Sequence, residues 1–304
     1  MSGNYVCVIG SINYDIIMKQ KRMPILGETY QADSISYSGG GKGANQCVQC
    51  AKLGLPAVMF GKVGNDPFGD TLLKNMKEYG VDCERIGRSK ESTGVGVIHA
   101  LEDGSVYATI IAGANGDISE EEIDQMDQMD QIIRESRILI LQLEIPVKVV
   151  EYCIRKASEY GVFIILNAAP AKPVSADALR LVDCLIVNET EAGYYAHTDL
   201  ENPQMVREHA DQLRELCKGT VIVTLGSKGS VLLNENGITE IAPVKVDAVE
   251  TTGAGDSYIG AFAYGKYYGM SDEDACYFAA KVSAITVTKV GAQEGMPYLS
   301  QVKE

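Results

Sequence analysis

Short apolar runs alternate with amphipathic segments along most of the chain. The apolar runs are rich in Val and Ile, and they occupy residues 5–10, 57–64, 138–144, 162–169, 184–189 and 220–226. Helical hydrophobic patterns lie between most of them, as at residues 66–80 and 146–161. Apolar runs without alternation are typical of strands buried on both faces, and strand–helix repetition indicates a parallel sheet. We predict an α/β fold, doubly wound, with a mainly parallel central sheet and helices on both faces.

Two stretches depart from this pattern. Residues 27–40 alternate like a half-exposed strand, and residues 93–113 resemble two strands around the turn at Asp103-Gly104. Neither stretch fits a helix that connects parallel strands. We therefore predict a small β-sheet beside the main one, which is the usual form of an active-site lid. The predicted units are an α/β core of residues 1–10, 39–92 and 113–304, and a small β lid of residues 11–38 and 93–112.

Two polar segments predict further helices. Residues 271–291 begin with an N-capping serine and end at a glycine, so we expect a helix from Ser271 to Gly291. The acidic residues 119–136 predict a helix with a solvated face. Cys47 and Cys50 form a C-x-x-C pair inside a helical pattern, which favours core packing over a redox or zinc site.

Composition and charge restrict the partners. The chain has 304 residues, 46% of them hydrophobic and 22% charged, as expected for a globular protein. A net charge of −14 repels nucleic acid and anionic membrane surfaces, so we expect neither as a partner. The sequence shows no signal-peptide pattern and no run of roughly 18 apolar residues, and its eight cysteines are scattered. We expect a cytoplasmic protein with reduced thiols.

The stretch "ETTGAGD" at residues 250–256 is the first candidate for chemistry. Small residues that lead into a helix let backbone N–H groups approach a ligand closely, and the helix start adds partial positive charge. We predict an anion hole at Gly253, Ala254 and Gly255. Asp256 would lie on the first helical turn, either as a capping residue or as a general base beside an arriving phosphoryl group. The stretch alone leaves both interpretations open.

A second glycine-rich element, "GGGKGAN", occupies residues 39–45. It matches the loose G-x-G-x-x-[GA] pattern, but it follows the polar "SISYS" rather than a buried strand, and no acidic residue follows at the required distance. It also lacks the G-x-x-x-x-G-K-[ST] spacing. Dinucleotide binding and a P-loop are both disfavoured.

Three polar groups elsewhere admit a structural or a functional interpretation. Asn13 and Asp15 are two positions apart on an extended segment, so they project to one side, although both are common turn residues. Asn188 and Glu191 are three apart at a helix start and share one helical face. Residues 223–230, "VTLGSKGS", follow a buried strand and form either a loop over a nucleotide or a simple turn into a hairpin.

The chain resembles the ribokinase family of carbohydrate kinases over nearly its whole length. The resemblance is carried, in order, by "GSINYD", "MPILGET", "GGGKGANQ", "VGNDPFG", "AGAN", "LQLE", "NETEA", "TLGSKG", "TTGAGDSYIGAF" and "GAQ". One such motif is weak evidence, whereas this many in one order are strong evidence. The resemblance implies that Asp256 is the catalytic base. It also implies that the sugar hydroxyls are bound by Asn13, Asp15, Gly41, Lys42, Asn45, Glu144 and Asp256.

The resemblance further implies sites for ATP and for cations. The implied nucleotide-binding residues are Asn188, Thr224, Leu225, Gly226, Ser227, Lys228, Gly229 and Gly255. Glu191 is implied to bind Mg²⁺ through water, in keeping with the hydration that Mg²⁺ retains. A monovalent cation, K⁺, is implied at Glu250, Thr252, Thr286, Lys289, Gly291 and Gly295. The family commonly has aspartate at the position of Glu250 and serine at the position of Gly295, so this chain departs from the family pattern at both.

The expected activity is therefore ATP-dependent phosphorylation of the primary hydroxyl of a sugar, with D-ribose converted to D-ribose 5-phosphate. Two alternatives stay open: a kinase for another small sugar or a nucleoside, such as deoxyribose or adenosine, and a catalytically silent sugar-binding regulator on the same fold. The resemblance also implies a homodimer that forms through the lid, whose sheet edges and exposed face invite pairing.

Overall fold

The computed structural model describes residues 4–103, 105–119 and 127–302. The strands are β1 Tyr5–Ile9, β2 Asn13–Gln20, β3 Ser34–Gly40, β4 Ala57–Gly64, β5 Asp82–Ser89, β6 Gly94–Leu101, β7 Val106–Ile111, β8 Ser136–Gln142, β9 Phe163–Asn167, β10 Cys184–Asn188, β11 Thr220–Thr224, β12 Ser230–Asn234 and β13 Gly237–Ile241. The helices are α1 Lys42–Lys52, α2 Pro67–Glu78, α3 Asp127–Glu135, α4 Val147–Glu159, α5 Ala176–Leu179, α6 Glu189–Ala196, α7 Pro203–Glu208, α8 Ala210–Arg214, α9 Ala254–Tyr267, α10 Asp272–Thr286, α11 Ala292–Gly295 and α12 Leu299–Val302. Short 3₁₀ turns lie at Gly113–Asp117 and Gly226–Lys228.

Nine of the described strands form the central sheet, in the order β13-β12-β11-β10-β9-β8-β1-β4-β5. The pairs from β11 to β5 are parallel, and β12 and β13 add an antiparallel edge. Successive residues of one strand enter different cores: Val6 and Val8 pack on the side of α1 and α9, whereas Cys7 and Ile9 pack on the side of α4. This burial on both faces confirms the doubly wound α/β prediction.

The chain reverses its direction of sheet growth at β1. β1 pairs with β4 on one side and with β8 on the other. In open α/β sheets, ligands bind outside the carboxyl ends of the strands at such a switch point. The residues that directly follow β1 and β8 are therefore the place to look for a site.

A second sheet of four described strands has the order β3-β2-β6-β7. The outer pairs are antiparallel, and the central pair β2–β6 is parallel. Register places Asp15 opposite Ser38 of β3 and opposite Gly96 of β6. The small sheet and its antiparallel pair β6–β7 are thus present, whereas Gly104 of the predicted turn lies outside the described residues. The role of the small sheet as a lid stays a prediction.

The strand predicted over residues 27–40 is shorter than expected, because pairing begins only at Ser34. Gly27 has φ +81°, and Glu28 accepts hydrogen bonds from the Arg22 guanidinium and from the Ile25 N–H. These contacts close a loop, so the alternating side chains of residues 28–33 do not line a sheet. The partner strand β2 was predicted only as an extended segment.

The helix predicted over residues 271–291 begins as expected but ends early. Ser271 Oγ accepts a hydrogen bond from the Asp274 N–H at 3.0 Å, which confirms the N-cap. The helix ends at Thr286 rather than Gly291. The carbonyl of Val287 instead accepts hydrogen bonds from the N–H groups of Val249 and Glu250, at 2.7 and 3.2 Å, so the chain turns there.

The remaining predictions concern cysteines, membranes and the acidic segment. All eight cysteines are buried thiols, and Cys47 and Cys50 lie inside α1, as expected for core packing. Within the described residues, no helix has both the length and the apolar character needed to cross a membrane. Of the predicted acidic helix, residues 120–126 lie outside the described residues, and α3 begins at Asp127.

Candidate active site

The start of α1 lies against the loop that follows β1. Glu144, just after β8, accepts hydrogen bonds on Oε2 from Ser11 Oγ at 2.5 Å and from the Lys42 N–H at 3.0 Å. Gly41 has φ +87°, and a Cβ there would lie 2.7 Å from the Asn13 nitrogen. Only glycine permits this close approach. The Glu144 carboxylate thereby fixes the helix start at the switch point of the sheet.

Asp256 lies in the first turn of α9 and is 8% exposed. Its Oδ2 accepts a hydrogen bond from Asn45 Nδ2 and its Oδ1 accepts one from Gln46 Nε2, both at 2.9 Å. The N-cap of α9 is Gly253, and no side chain caps this helix. The capping interpretation of Asp256 is therefore wrong, since its carboxylate is held by a different helix, α1.

The predicted anion hole needs one correction. The Ala254 N–H donates to the Thr251 carbonyl at 3.2 Å, because the chain makes a tight turn before α9. Among the described residues, the N–H groups of Gly253, Gly255 and Asp256 have no recorded hydrogen-bond acceptor. The Ala254 N–H is thus already engaged as a donor. The Asp256 N–H, which was not part of the predicted anion hole, is available instead. The first turn of a helix characteristically leaves such N–H groups available to an anion.

Asn13 and Asp15 project from one face of β2, as predicted. Asn13 Oδ1 accepts a hydrogen bond from Asn115 Nδ2 at 2.7 Å. A Cβ on Gly40 would lie 2.0 Å from Asp15 Oδ2, and a Cβ on Gly96 would lie 2.4 Å from Asp15 Oδ1. The glycines of the two neighbouring strands therefore leave the room in which the Asp15 carboxylate lies.

Charge is concentrated at this site. Burial raises the pKa of Asp15 to about 7, and three carboxylates add to the effect: Glu144, Asp256 and Glu294. Burial opposes the charge of Lys42, but the carboxylates of Asp256, Glu144 and Glu191 outweigh it, so the pKa of Lys42 is raised. The Lys42 ammonium is therefore held charged among acids that would otherwise repel each other and any phosphate.

Several buried amides of the site were missed by the sequence analysis. They are Gln46, Asn115, Gln142, Asn167 and Gln293, each at most 5% exposed. Gln293 Nε2 donates to Asn45 Oδ1 at 3.0 Å, so the Asn45 amide must turn its NH₂ toward Asp256. One available signal was the polar residue at the end of an apolar strand, as Gln142 ends "ILILQ" and Asn167 ends "FIILN".

Asn188 and Glu191 are adjacent at the start of α6. They form a reciprocal capping box: Asn188 Oδ1 accepts from the Glu191 N–H at 2.8 Å, and Glu191 Oε2 accepts from the Asn188 N–H at 2.9 Å. Burial raises the pKa of Glu191, partly offset by the Asn188 N–H and by Lys42. The described residues contain no group of three or more His, Cys, Asp or Glu side chains able to hold a metal ion. The Glu191 carboxylate is an oxygen ligand of the kind that Mg²⁺ takes, and a hydrated Mg²⁺ ion needs few protein ligands.

A cavity of about 540 Å³ is lined in part by Gly255 and by no residue of the small sheet. It is lined by five of the residues predicted to bind a nucleotide: Thr224, Gly226, Ser227, Gly229 and Gly255. Other lining residues were missed, and they include Pro243, Val244, Val246, Ala280, Ser283, Ala284 and Val287. The wall is mostly small and apolar, which suits a flat heterocycle.

Three predicted nucleotide contacts are not on this cavity wall. Leu225 is 3% exposed and packs in the core beneath the loop. The Lys228 ammonium donates to the Glu201 carbonyl at 2.6 Å, which directs it away from the cavity. Asn188 forms the capping box described above. The structure does not bring these three residues to the cavity wall, and their part in nucleotide binding stays a prediction.

The residues implied for a monovalent cation form a connected turn. Glu250 Oε2 accepts a hydrogen bond from the Gly291 N–H at 3.2 Å. The Thr286 carbonyl accepts from the Lys289 N–H at 3.2 Å, and the Gly291 carbonyl accepts from the Gly295 N–H at 2.9 Å. Thr252 is exposed in the turn that precedes α9. Each of these two carbonyls retains a second lone pair, which is a donor that a cation such as K⁺ can take.

Comparison with known proteins gives one family over almost the entire chain. A family model described as pfkB family carbohydrate kinase matches residues 4–299. Among curated proteins, a ribokinase of Schizosaccharomyces pombe is 38% identical over 311 residues, which cover 98% of this chain and 96% of the relative. A deoxyribokinase of Salmonella typhi is 32% identical over 303 residues, which cover 98% and 97%.

Among solved structures, the chain is similar to Arabidopsis thaliana ribokinase complexed with ribose and ATP. The TM-score is 0.90 at 30% identity, and the alignment covers 99% of this chain and 98% of that one. A ribokinase from Thermotoga maritima gives a TM-score of 0.88 at 33% identity, with 98% of each chain covered.

Proposed function

The chain belongs to the pfkB family of carbohydrate kinases, and on that premise we propose that it transfers the γ-phosphoryl group of ATP to the primary hydroxyl of D-ribose. The observation that carries this proposal is the position of Asp256. Its buried carboxylate is held by two amides of α1, next to the polar side chains of β2, while the preceding Gly255 lines the cavity that suits a nucleotide. One acid therefore stands between a place for the sugar and a place for ATP.

In the proposed mechanism, Asp256 takes the proton of the sugar's primary hydroxyl as that oxygen attacks the γ-phosphorus in line. The N–H groups of Gly253 and Gly255 stabilise the negative charge that develops on the transferring group. The Lys42 ammonium offsets the charge of the surrounding carboxylates. Mg²⁺, when it arrives with ATP, would be held through water by Glu191 and would neutralise phosphate charge. Carboxylate and amide groups at Asn13, Asp15, Asn45 and Glu144 would bind the remaining hydroxyls.

The relatives narrow the choice of substrate, although they do not single out one sugar. Ribose is favoured because ribokinases of several organisms match over the whole chain and one similar structure holds ribose and ATP. Deoxyribose is the second candidate, since deoxyribokinases are 32% identical to this chain. The two sugars differ by one hydroxyl, so a single lost or gained hydrogen bond decides between them.

Measurement of ADP release with ribose, deoxyribose and adenosine tests the proposal. We expect the highest kcat/KM with ribose, and we expect phosphorus–proton NMR coupling to place the new phosphate on carbon 5. A higher value with deoxyribose would correct the substrate alone. Sugar binding without ADP release from any of the three would contradict the kinase mechanism and support a silent regulator.

Activation by K⁺ is also proposed, through the carbonyls around Gly291 and the carboxylate of Glu250. Glu250 already contacts the Gly291 N–H, so its longer side chain reaches the turn despite the extra methylene. We expect a higher rate in K⁺ than in an equal concentration of a large organic cation. Equal rates in the two salts would remove the cation from the mechanism.

The small sheet is proposed as a lid and as the contact of a homodimer. Register places four exposed apolar side chains on the face opposite Asp15, namely Ile35, Tyr37, Tyr107 and Ile111, each at least 45% exposed. A second copy would cover this face. We propose a cytoplasmic dimer, and light scattering with a Tyr37→Lys variant tests it: the parent should be dimeric and the variant monomeric.

A further inference from the structure

A chain of buried amides is hydrogen-bonded to the carboxylate of the proposed base. Gln142 Nε2 donates to Gln46 Oε1 at 2.7 Å, and Gln46 Nε2 donates both to Asp256 Oδ1 at 2.9 Å and to Asn167 Oδ1 at 3.1 Å. Gln46 is 0% exposed. We call Gln142, Gln46 and Asn167 the amide relay. Its members come from α1 and from the carboxyl ends of β8 and β9.

Only one orientation of the amide groups in the relay satisfies these hydrogen bonds. Asn167 Nδ2 donates to the Ile186 carbonyl at 3.1 Å, and a carbonyl can only accept. Asn167 must therefore turn its oxygen toward Gln46. Gln46 in turn must present its NH₂ to Asn167 and to Asp256, and its oxygen to Gln142. A reversed Gln46 amide would place oxygen against oxygen at both acceptors.

This fixed direction has a chemical consequence for Asp256. An amide NH₂ can only donate, so the Asp256 oxygen that faces Gln46 must accept, and a donor stabilises the ionised carboxylate more than the neutral acid. Asn45 holds the other oxygen in the same way. Together the two donors set the plane of the carboxylate relative to α1.

We propose that Gln46 is a positioning residue for the catalytic base. Its NH₂, oriented by Gln142 and Asn167, holds Asp256 Oδ1 so that the carboxylate is aligned when the sugar hydroxyl arrives. Gln46 touches neither the sugar nor ATP in this account. The inference rests on the proposed function, in which Asp256 is the base.

Other charged groups also act on Asp256. They are Asp15 from β2, Lys42 from α1 and Glu191 from α6. Each of them is retained when Gln46 is replaced. A difference between the pH profiles of the parent and of a Gln46 variant therefore reports the lost amide donor.

The test compares Gln46→Met with Gln49→Met. Gln49 is a matched control, because it lies on the same helix, is also 0% exposed, and donates to the Pro297 carbonyl at 3.1 Å, away from the base. For Gln46→Met we expect a fall in kcat of about 10- to 100-fold, the value of a hydrogen bond to a charged group. We also expect the acid limb of the kcat–pH profile to move to higher pH, with little change in KM for ATP. Gln49→Met should lose thermal stability and keep the parent profile.

Two further variants keep the test informative if Gln46→Met does not fold. Gln46→Glu places a carboxylate against Asp256 and should move the acid limb further than Gln46→Met does, because like charges disfavour ionisation. Gln142→Met removes the group that orients Gln46 and should move it in the same direction by less. Folded Gln46 variants with the parent's kcat and pH profile would overturn the inference.

Asp256→Asn separates this inference from the proposed function. If Asp256→Asn retains turnover, the base assignment itself is wrong. If Asp256→Asn is inactive while the Gln46 and Gln142 variants keep the parent profile, only the positioning role of Gln46 is wrong.

Discussion

The two sides of Asp256 are built differently. On the sugar side, polar side chains are already hydrogen-bonded to one another, as Asn13 is to Asn115 and Glu144 is to Ser11. On the nucleotide side, a cavity of about 540 Å³ has walls of small and apolar residues such as Val246. The polar side chains of the sugar side can recognise hydroxyl groups through directional hydrogen bonds. The apolar walls of the nucleotide side can recognise a ligand by its shape.

This difference predicts which substitutions reduce substrate recognition and catalysis most. A buried group that loses its partner on the sugar side has no water to replace it, so both recognition and catalysis suffer. A side chain lost from the open apolar wall costs only its share of buried area.

Gly255 lies at the junction of the two sides, so a side chain there should have a large effect. A Cβ there would meet no atom within 4 Å, so the fold accepts a side chain, but that side chain would occupy the phosphate's approach. For Gly255→Val we expect kcat/KM for ATP to fall by at least ~100-fold, the loss typical of one anion-hole donor. The measurement is steady-state kinetics beside a thermal melt.

Gly253→Ala is a companion variant that should differ from Gly255→Val in its effect on stability. Gly253 has φ +79°, and a Cβ there would lie 3.0 Å from Ala292. Its melting temperature should fall, because both strain and contact act on the folded state. Near-parent kinetics in a folded Gly255→Val would break the account of the junction.

The sugar side should depend on pH through Asp15. Its pKa is raised to about 7, and sugar hydroxyls that donate to it favour the ionised form. Ribose binding should therefore weaken as the pH falls below 7, by about tenfold per unit. Titration calorimetry between pH 5 and pH 8 in roughly unit steps measures this. Asp15→Asn should bind weakly without this dependence, and an unchanged slope in that variant would assign the effect to another group.

The same shift makes a prediction for stability. Asp15 is ionised in the unfolded chain above its ordinary pKa of 3.8, whereas the folded protein keeps its proton up to about 7. The fold therefore loses stability from this group as the pH rises from 4 to 7. Without ligand, Asp15→Asn should melt above the parent at pH 8, and the gap should close near pH 4.

The nucleotide wall should give the smallest effect. Val246 lines the cavity and is 42% exposed. Val246→Ala should raise KM for ATP by roughly three- to fivefold, the value of about 1 kcal/mol of apolar contact, with kcat unchanged. Val249→Ala is the matched control, since Val249 is 62% exposed and does not line the cavity. A change in the KM for ribose rather than in the KM for ATP would contradict the division between the two sides.

The fold was largely predictable because periodicity is local. The apolar run at residues 57–64 corresponds to β4 residue for residue. The edge strand β5 was not predicted. Its sequence is "DCERIGRS", and it lacks an apolar run because its outer position in the sheet leaves it only partly buried. The segment 243–248 that lines the nucleotide cavity has no regular secondary structure, and hence no period to detect.

The site was predictable only where a short motif carries the chemistry. Asp256 was singled out by the small residues before it, although its two interpretations could be separated only by seeing which helix holds it. The amide relay was missed because its contacts span distant parts of the chain, with Gln46 and Asp256 separated by 210 positions. No spacing within a local stretch indicates such a contact.

The most direct test is the turnover of Asp256→Asn with ribose and ATP, measured alongside its melting temperature and its affinity for ribose. The amide keeps the size of the side chain and removes its ability to accept a proton. We expect a folded protein whose kcat is lower on the order of 10²- to 10⁴-fold, the contribution of a general base. Turnover within a few-fold of the parent would contradict the account, because the carboxylate would then have no part in the transfer.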